Sequence, residues 1–220
     1  VSGWRVAVVD SGCGLAPPPT AGARFVAHED GVLRREPEPD ALGHGTRVAA
    51  IVRAHREVAL LDAQVFGARP VTTPAAVAAA IHWAVDEGAS LVHLSLGLAH
   101  DRPVLAAAVA RAVAAGVLLV AAVPARGRPT WPAGYPGVIR ATGDARCGPG
   151  QVSRLGRGHY GGAVRTGPHG GGASIGAAHV TGAVLATARP GATLDEALAA
   201  LDAACAFEGP ERRGPIQPGS

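Results

Sequence analysis

"TPAAVAAAIHWAVDEG" at residues 73–88 is followed almost at once by "SLVHLSLG" at residues 90–97, and this pair decides the fold class. The first segment reads as a helix: Thr73 stands at the cap, Pro74 at the first helical position and Gly88 at the stop. The second is a short apolar run of the kind that forms a strand buried on both faces. The alternation continues outward. "WRVAVVD" (4–10), "VALLDAQVF" (58–66) and "VLLVAAV" (117–123) read as strands, and "TRVAAIVRA" (46–54) and "RPVLAAAVARAVAAG" (102–116) as helices. Repeated strand-helix-strand units predict a three-layer α/β domain, a mostly parallel sheet with helices on both faces and right-handed crossovers.

The remaining segments are less regular. "PPPTAGARF" (17–25) and "REPEPDALG" (35–43) read as loops, and residues 124–172 are rich in Gly and Pro with short strand-like pieces such as "GVIRATG" (137–143). "ASIGAAHVTGAVLATA" (173–188) and "TLDEALAALDAACA" (193–206) are helical in pattern. Residues 1–208 are expected to form one domain and 209–220 a disordered polar tail.

With 220 residues, 48% of them hydrophobic and 4% aromatic, the chain has material for one core made of small aliphatic side chains. Each apolar stretch is interrupted before the roughly 18 residues of a membrane span, so no membrane contact is expected. The first residues lack the pattern of a secretory signal, which predicts a cytoplasmic location. Cys13, Cys147 and Cys205 are odd in number and lack metal-site spacing, and are expected to be buried free thiols. All 20 basic residues are arginine, against 17 acids. This mild excess does not point to a nucleic-acid partner.

Ligands of open α/β sheets sit at the carboxyl ends of strands and the amino ends of the following helices. Asp10 ends a predicted strand, and His44 and Ser174 each open a predicted helix. A serine hydroxyl becomes a useful nucleophile when a base takes its proton, and that base needs a carboxylate to orient it. Taken singly, each residue has a plain reading as a turn aspartate, a structural histidine or a helix cap. Competing motifs fail on context. "GASIG" (172–176) has the spacing of an α/β-hydrolase elbow, but the histidine that follows it is His179 in the same helix. "DSGCG" (10–14) begins like a dinucleotide fingerprint, yet Pro17 stands where the third glycine belongs. The histidines include no H-E-x-x-H pair, and neither a metal nor a cofactor is expected.

Six segments in order resemble the motifs of the subtilisin-like serine peptidases: "VAVVDSGCG", "GHGTRVAAIV", "AIHWAVDEGASLVHLSLG", "GVLLVAA", "WPAGYPGVI" and "GASIGAAHVTG". The likeness spans residues 4–203. It implies Asp10 as the orienting acid, His44 as general base and then acid, and Ser174 as nucleophile, in the chain order of subtilisin. It also implies a peptide substrate lying along Leu94, Ser95, Leu96 and Gly97, with Ala121, Ala122 and Val123 on the neighbouring strand end. His179 matches a structural helix residue of the family, and Cys13 is expected to pack beside the site without reacting.

Four positions depart from the pattern. "AAVPARG" (121–127) places Ala125 where the family has the oxyanion asparagine and Pro124 where it has glycine. Ala173 replaces the usual threonine, and Arg47 stands where many members have histidine. The oxyanion region then consists of Ala125, Arg126 as a candidate replacement donor, and the Ser174 backbone N–H. The resemblance therefore implies a slow, specialised maturation peptidase, with an impaired peptide binder and a peptide acyl-transferase or cyclase as alternatives. Arg126, Arg128, Arg140, Arg146, Arg154, Arg157 and Arg165 stand against one acid, Asp144, in this part of the chain, which reads either as a solvated loop face or as a segment that draws in an acidic peptide.

Overall fold

A computed structural model describes residues 3–164 and 172–211. In chain order the strands and helices are β1 (Arg5–Asp10), β2 (Ala21–His28), β3 (Gly31–Arg35), α1 (His44–His55), β4 (Ala59–Gln64), α2 (Pro74–Asp86), β5 (Leu91–Leu94), α3 (Pro103–Ala114), β6 (Leu118–Ala122), β7 (Val138–Gly143), β8 (Val152–Gly156), β9 (His159–Gly162), α4 (Ala173–Thr187), α5 (Leu194–Ala204) and β10 (Phe207–Glu208). The ten strands form one sheet in the order β10-β8-β9-β7-β6-β5-β1-β4-β2-β3. Pairing is parallel except between β2 and β3 and between β8 and β9. The predicted α/β architecture is the observed one.

Side chains along a strand alternate between the two faces. Ala7 and Val9 of β1 join the core under α2 and α3, whereas Val6 and Val8 join the core under α1, α4 and α5. The sheet is therefore covered on both sides. The helix boundaries follow their caps: the Thr73 side chain accepts from Ala76 N, and Thr193 with Glu196 forms a reciprocal capping box.

Two glycines set how closely the helices that carry His44 and Ser174 approach the sheet. A Cβ on Gly45 would lie 2.3 Å from the Gly12 carbonyl oxygen, and one on Gly176 would lie 2.2 Å from the Thr142 carbonyl oxygen. Both obstacles are backbone, which cannot swing aside. Any larger residue would lift the helix and its reactive side chain away from the strand ends.

Several expectations need correction. Residues 21–25, read as loop, are part of β2: Ala23 and Phe25 point into the core, with Phe25 against Trp83 at 5.9 Å between ring centroids. Gly31, at φ 133, makes the turn into β3. The strand read across 90–97 ends at Leu94, so Ser95 to Gly97 leave the sheet. Cys147 is buried, but Cys13 and Cys205 are half-exposed, each packed at the edge of a core. Gly209, expected in the tail, still donates to the Arg154 carbonyl at 2.8 Å, and residues 212–220 lie outside the described residues. Among the described residues no helix is long and apolar enough to cross a membrane.

Candidate active site

Asp10 ends β1 at 1% exposure, and its carboxylate accepts a hydrogen bond from Ser11 N at 2.7 Å. His44, the first residue of α1, brings Nδ1 to 2.9 and 2.8 Å from the two Asp10 oxygens. That hydrogen bond raises the His44 pKa above the usual histidine value, against the opposing effects of partial burial and of Arg47. The pairing fixes Nδ1 as the protonated nitrogen and leaves Nε2 for proton transfer.

Ser174 is the second residue of α4, where backbone N–H groups lack intrahelical partners and the helix dipole favours negative charge. Its hydroxyl donates to the Ser95 carbonyl at 3.0 Å. Asp10, His44, Ser95, Leu96, Gly97 and Ser174 all line one cleft of about 620 Å³. The three reactive residues predicted from sequence thus meet at one opening.

The predicted peptide-binding residues divide. Ser95, Leu96 and Gly97 line the cleft, whereas the side chains of Leu94, Ala121 and Ala122 are buried in the sheet and belong to its core. Val123 is half-buried, and its N–H donates to the Ala141 carbonyl at 2.8 Å. The sequence reading missed the apolar wall of the cleft, Leu42, Phe66, Pro70, Val71 and Leu98. Phe66 carried a signal, since it follows a strand end next to that of Asp10.

Residues 2–157 match the Subtilase family. The chain belongs to that family. The matched span includes Asp10 and His44 and ends before Ser174, whose placement rests on the geometry above. Relatives at 32% identity include the thermostable alkaline protease of Halalkalibacterium halodurans, over 63% of this chain and 40% of that protein. Alkaline elastase YaB of Bacillus sp. matches over 55% of this chain and 34% of its own length, and subtilisin Savinase of Lederbergia lenta over 55% and 47%. The matches span under half the length of these relatives. A solved structure of a mutant of the protease domain of PatA shares the fold, with a TM-score of 0.60 and 21% identity over 83% of this chain and 78% of that one.

The residues expected to form the oxyanion region do not all gather at this opening. Ala125 and Arg126 are exposed on the segment after β6 and line a separate cleft of about 670 Å³ with Thr142, Gly143 and Asp144. They are not among the residues lining the His44 cleft.

The arginine-rich stretch is also less free than its sequence implies. Arg146 grips Asp144 through Nε at 3.0 Å and Nη2 at 2.7 Å. Burial alone would raise the Asp144 pKa, but Arg146 and Ser153 outweigh it and hold the carboxyl at about 2. Arg154 pairs with Glu208 at 2.8 Å, and Arg140 donates to the Arg157 carbonyl at 2.9 Å. Arg126 and Arg128 remain exposed with no ion-pair partner among the described residues, and Arg165 lies outside them. Cys13 packs against the core under α1 and does not line the cleft, and burial raises its thiol pKa.

Proposed function

We propose that this subtilase is a serine peptidase that works through a Ser174 acyl-enzyme. The observation that carries the reading is the Asp10–His44 pair facing the same cleft as a serine at a helix amino end. In the proposed sequence, Ser174 Oγ turns from the Ser95 carbonyl toward His44 Nε2 and gives up its proton there. Oγ then bonds to the substrate carbonyl carbon, whose oxygen takes the negative charge beside the Ser174 N–H and the α4 dipole. His44 returns the proton to the leaving amine, the C–N bond breaks, and water repeats the cycle on the ester. Asp10 holds the imidazole and stabilises its cationic form throughout.

The substrate class is a peptide in extended form along Ser95 to Gly97, with apolar side chains against Phe66, Val71 and Leu96. The free charges of Arg126 and Arg128 support a preference for acidic residues elsewhere in that peptide. A second reading, a peptide binder with little turnover, is favoured by the position of Ala125 outside the cleft, which leaves a single backbone donor for the oxyanion. Acyl transfer to an amine shares the same acyl-enzyme. Labelling with a fluorophosphonate followed by peptide mapping separates the first two readings. Modification of Ser174 that disappears in His44→Ala supports the peptidase. Equal labelling of both proteins refutes the base role, and an unlabelled wild type supports the binder.

A further inference from the structure

The His44 helix lacks an ordinary cap. The residue before it, Gly43, is left-handed at φ 66 and has no side chain with which to accept from the first turn. That task falls to a carboxylate upstream. Asp40 Oδ2 accepts from Thr46 N at 2.8 Å and from Thr46 Oγ1 at 2.7 Å. Asp40 Oδ1 accepts from Gly43 N at 2.9 Å, Leu42 N at 3.2 Å and Ser11 Oγ at 2.8 Å.

These bonds reach both members of the Asp10–His44 pair. Ser11 directly follows Asp10, and its Oγ also accepts from Gly45 N at 3.0 Å, the residue after His44. Thr46 Oγ1 accepts from Gly14 N at 2.9 Å, so the turn leaving β1 is tied to the first turn of α1 a second time. One half-buried carboxylate therefore joins the chain just past Asp10 to the chain on both sides of His44.

We infer that Asp40 is a positioning residue for the reaction proposed above: its carboxylate locks the end of β1 to the start of α1 and so sets the Asp10–His44 geometry. It touches neither the imidazole nor the cleft, and acts through Ser11, Gly43 and Thr46. Its negative charge is well placed in a second sense, beside the positive end of α1. Burial alone would raise the Asp40 pKa, but the hydrogen bonds from Thr46, Ser11 and Gly43 prevail and keep the carboxylate ionised.

The charge also bears on His44. The groups that face its imidazole are Asp10 on β1 and Asp40 on the preceding loop, which favour the cation, and Arg47 on α1, which opposes it. His93 on β5 is buried nearby, and Asp62 on β4 faces both Asp10 and Asp40. Removing the Asp40 charge makes the imidazolium less favourable, so His44 should lose its proton at lower pH.

Two variants separate the tie from the charge. Asp40→Asn removes the charge and points amide hydrogens at a ring of donors, whereas Ser11→Ala removes one strut and leaves the charge in place. Each is followed by fluorophosphonate labelling of Ser174 against pH and by NMR titration of the His44 ring, which needs no activity. Asp40→Asn should slow labelling about 10- to 100-fold, the scale of a small misplacement at a reacting centre, and should move both the acid limb and the His44 titration to lower pH. Ser11→Ala should slow labelling with the His44 titration unmoved. A purely structural role for Asp40 would lower the rate without moving the titration.

Wild-type rates with an unmoved titration in Asp40→Asn overturn the inference. If that variant fails to fold, wild-type labelling by Ser11→Ala overturns it instead. If wild type does not label, the proposed peptidase fails, and the NMR titration of Asp40→Asn still decides the role of Asp40.

Discussion

His93 on β5 offers a measurable consequence of burying a titratable group. Its side chain is fully enclosed, Nδ1 lies 2.8 Å from Thr181 Oγ1 on α4, and Nε2 has no partner among the described residues. Burial drives its pKa down to about 4, despite the nearby Asp10 charge. As pH falls below the ordinary histidine value of about 6.5, the unfolded chain takes up a proton that the folded chain refuses. Stability is then lost at up to about 1.4 kcal/mol per pH unit, approaching 3 kcal/mol by pH 4. His179, also lowered to about 4 by burial, contributes with the same sign. Asp62 acts oppositely: with its pKa raised to about 6 by burial, the folded chain keeps a proton there that the unfolded chain has lost.

The absolute slope therefore mixes opposing groups, and only the difference between wild type and a His93 variant isolates this residue. His93→Asn retains an amide near Thr181 and removes the titration. It should be about 1–3 kcal/mol less stable than wild type at pH 7.5, from lost ring packing. The difference should move by about 3 kcal/mol in favour of the variant on approach to pH 4, closing or reversing the deficit. Urea unfolding followed by tryptophan fluorescence between pH 7.5 and 4 measures both quantities. A stability difference that stays constant with pH would refute the reasoning, because the buried imidazole would then titrate alike in both states.

The pH profile of the chemistry should carry the mark of Asp10. Since its hydrogen bond raises the His44 pKa, single-turnover acylation should decline as pH falls through a value above 6.5, and an acid limb below that value would count against the pairing. Pro124→Gly plus Ala125→Asn tests whether an amide on the segment after β6 can reach the oxyanion from outside the His44 cleft: if it does, acylation by an activated ester should rise about 10²-fold, the low end of the loss seen when subtilisin's donor is removed. Ala125→Asn alone should gain less, because Pro124 fixes the loop's direction; a folded double variant no faster than wild type would show that this segment does not serve the oxyanion. Gly45→Ala drives a methyl into the Gly12 carbonyl, and should cost about 1–3 kcal/mol of stability as well as slow labelling of Ser174. A calorimetric Tm unchanged from wild type would mean that α1 does not pack on the β1 end as described.

What the sequence revealed follows from how each element is stabilised. β1, β4, β5 and β6 are buried on both faces and write themselves as mainly apolar runs, broken by the buried Asp62, Gln64 and His93, and α2 and α5 announce their starts through Thr73 and Thr193. The β2–β3 hairpin was hidden because it lies at the sheet's edge: Gly22 and Arg24 alternate with Ala23 and Phe25, and prolines flank the run. β8 to β10 were hidden for a similar reason, since pairing at the opposite edge leaves room for Arg, Gly and Ser. That Asp10, His44 and Ser174 line one cleft was legible from strand ends and helix starts, and the roles proposed for them come from the motif resemblance. Asp40 was not: in "REPEPD" it reads as one more surface acid, and its five donors come together only after β1 and α1 dock.

The two sides of the site are held by different means, and they should tolerate substitution differently. On the Asp10–His44 side, each position also supports the backbone: Asp10 takes the Ser11 N–H, Asp40 caps α1, and Gly45 permits the helix to touch β1. A change there costs stability as well as chemistry. Ala125 sits on an exposed segment after β6 and contributes to neither core. Exchange of its side chain leaves both cores untouched. A fold with an intact Asp10–His44 pair is therefore compatible with a wide range of turnover rates. In the reaction proposed above the rate depends on the donor that meets the oxyanion, and Ala125 and Arg126, which line a separate cleft, can be exchanged without disturbing the sheet.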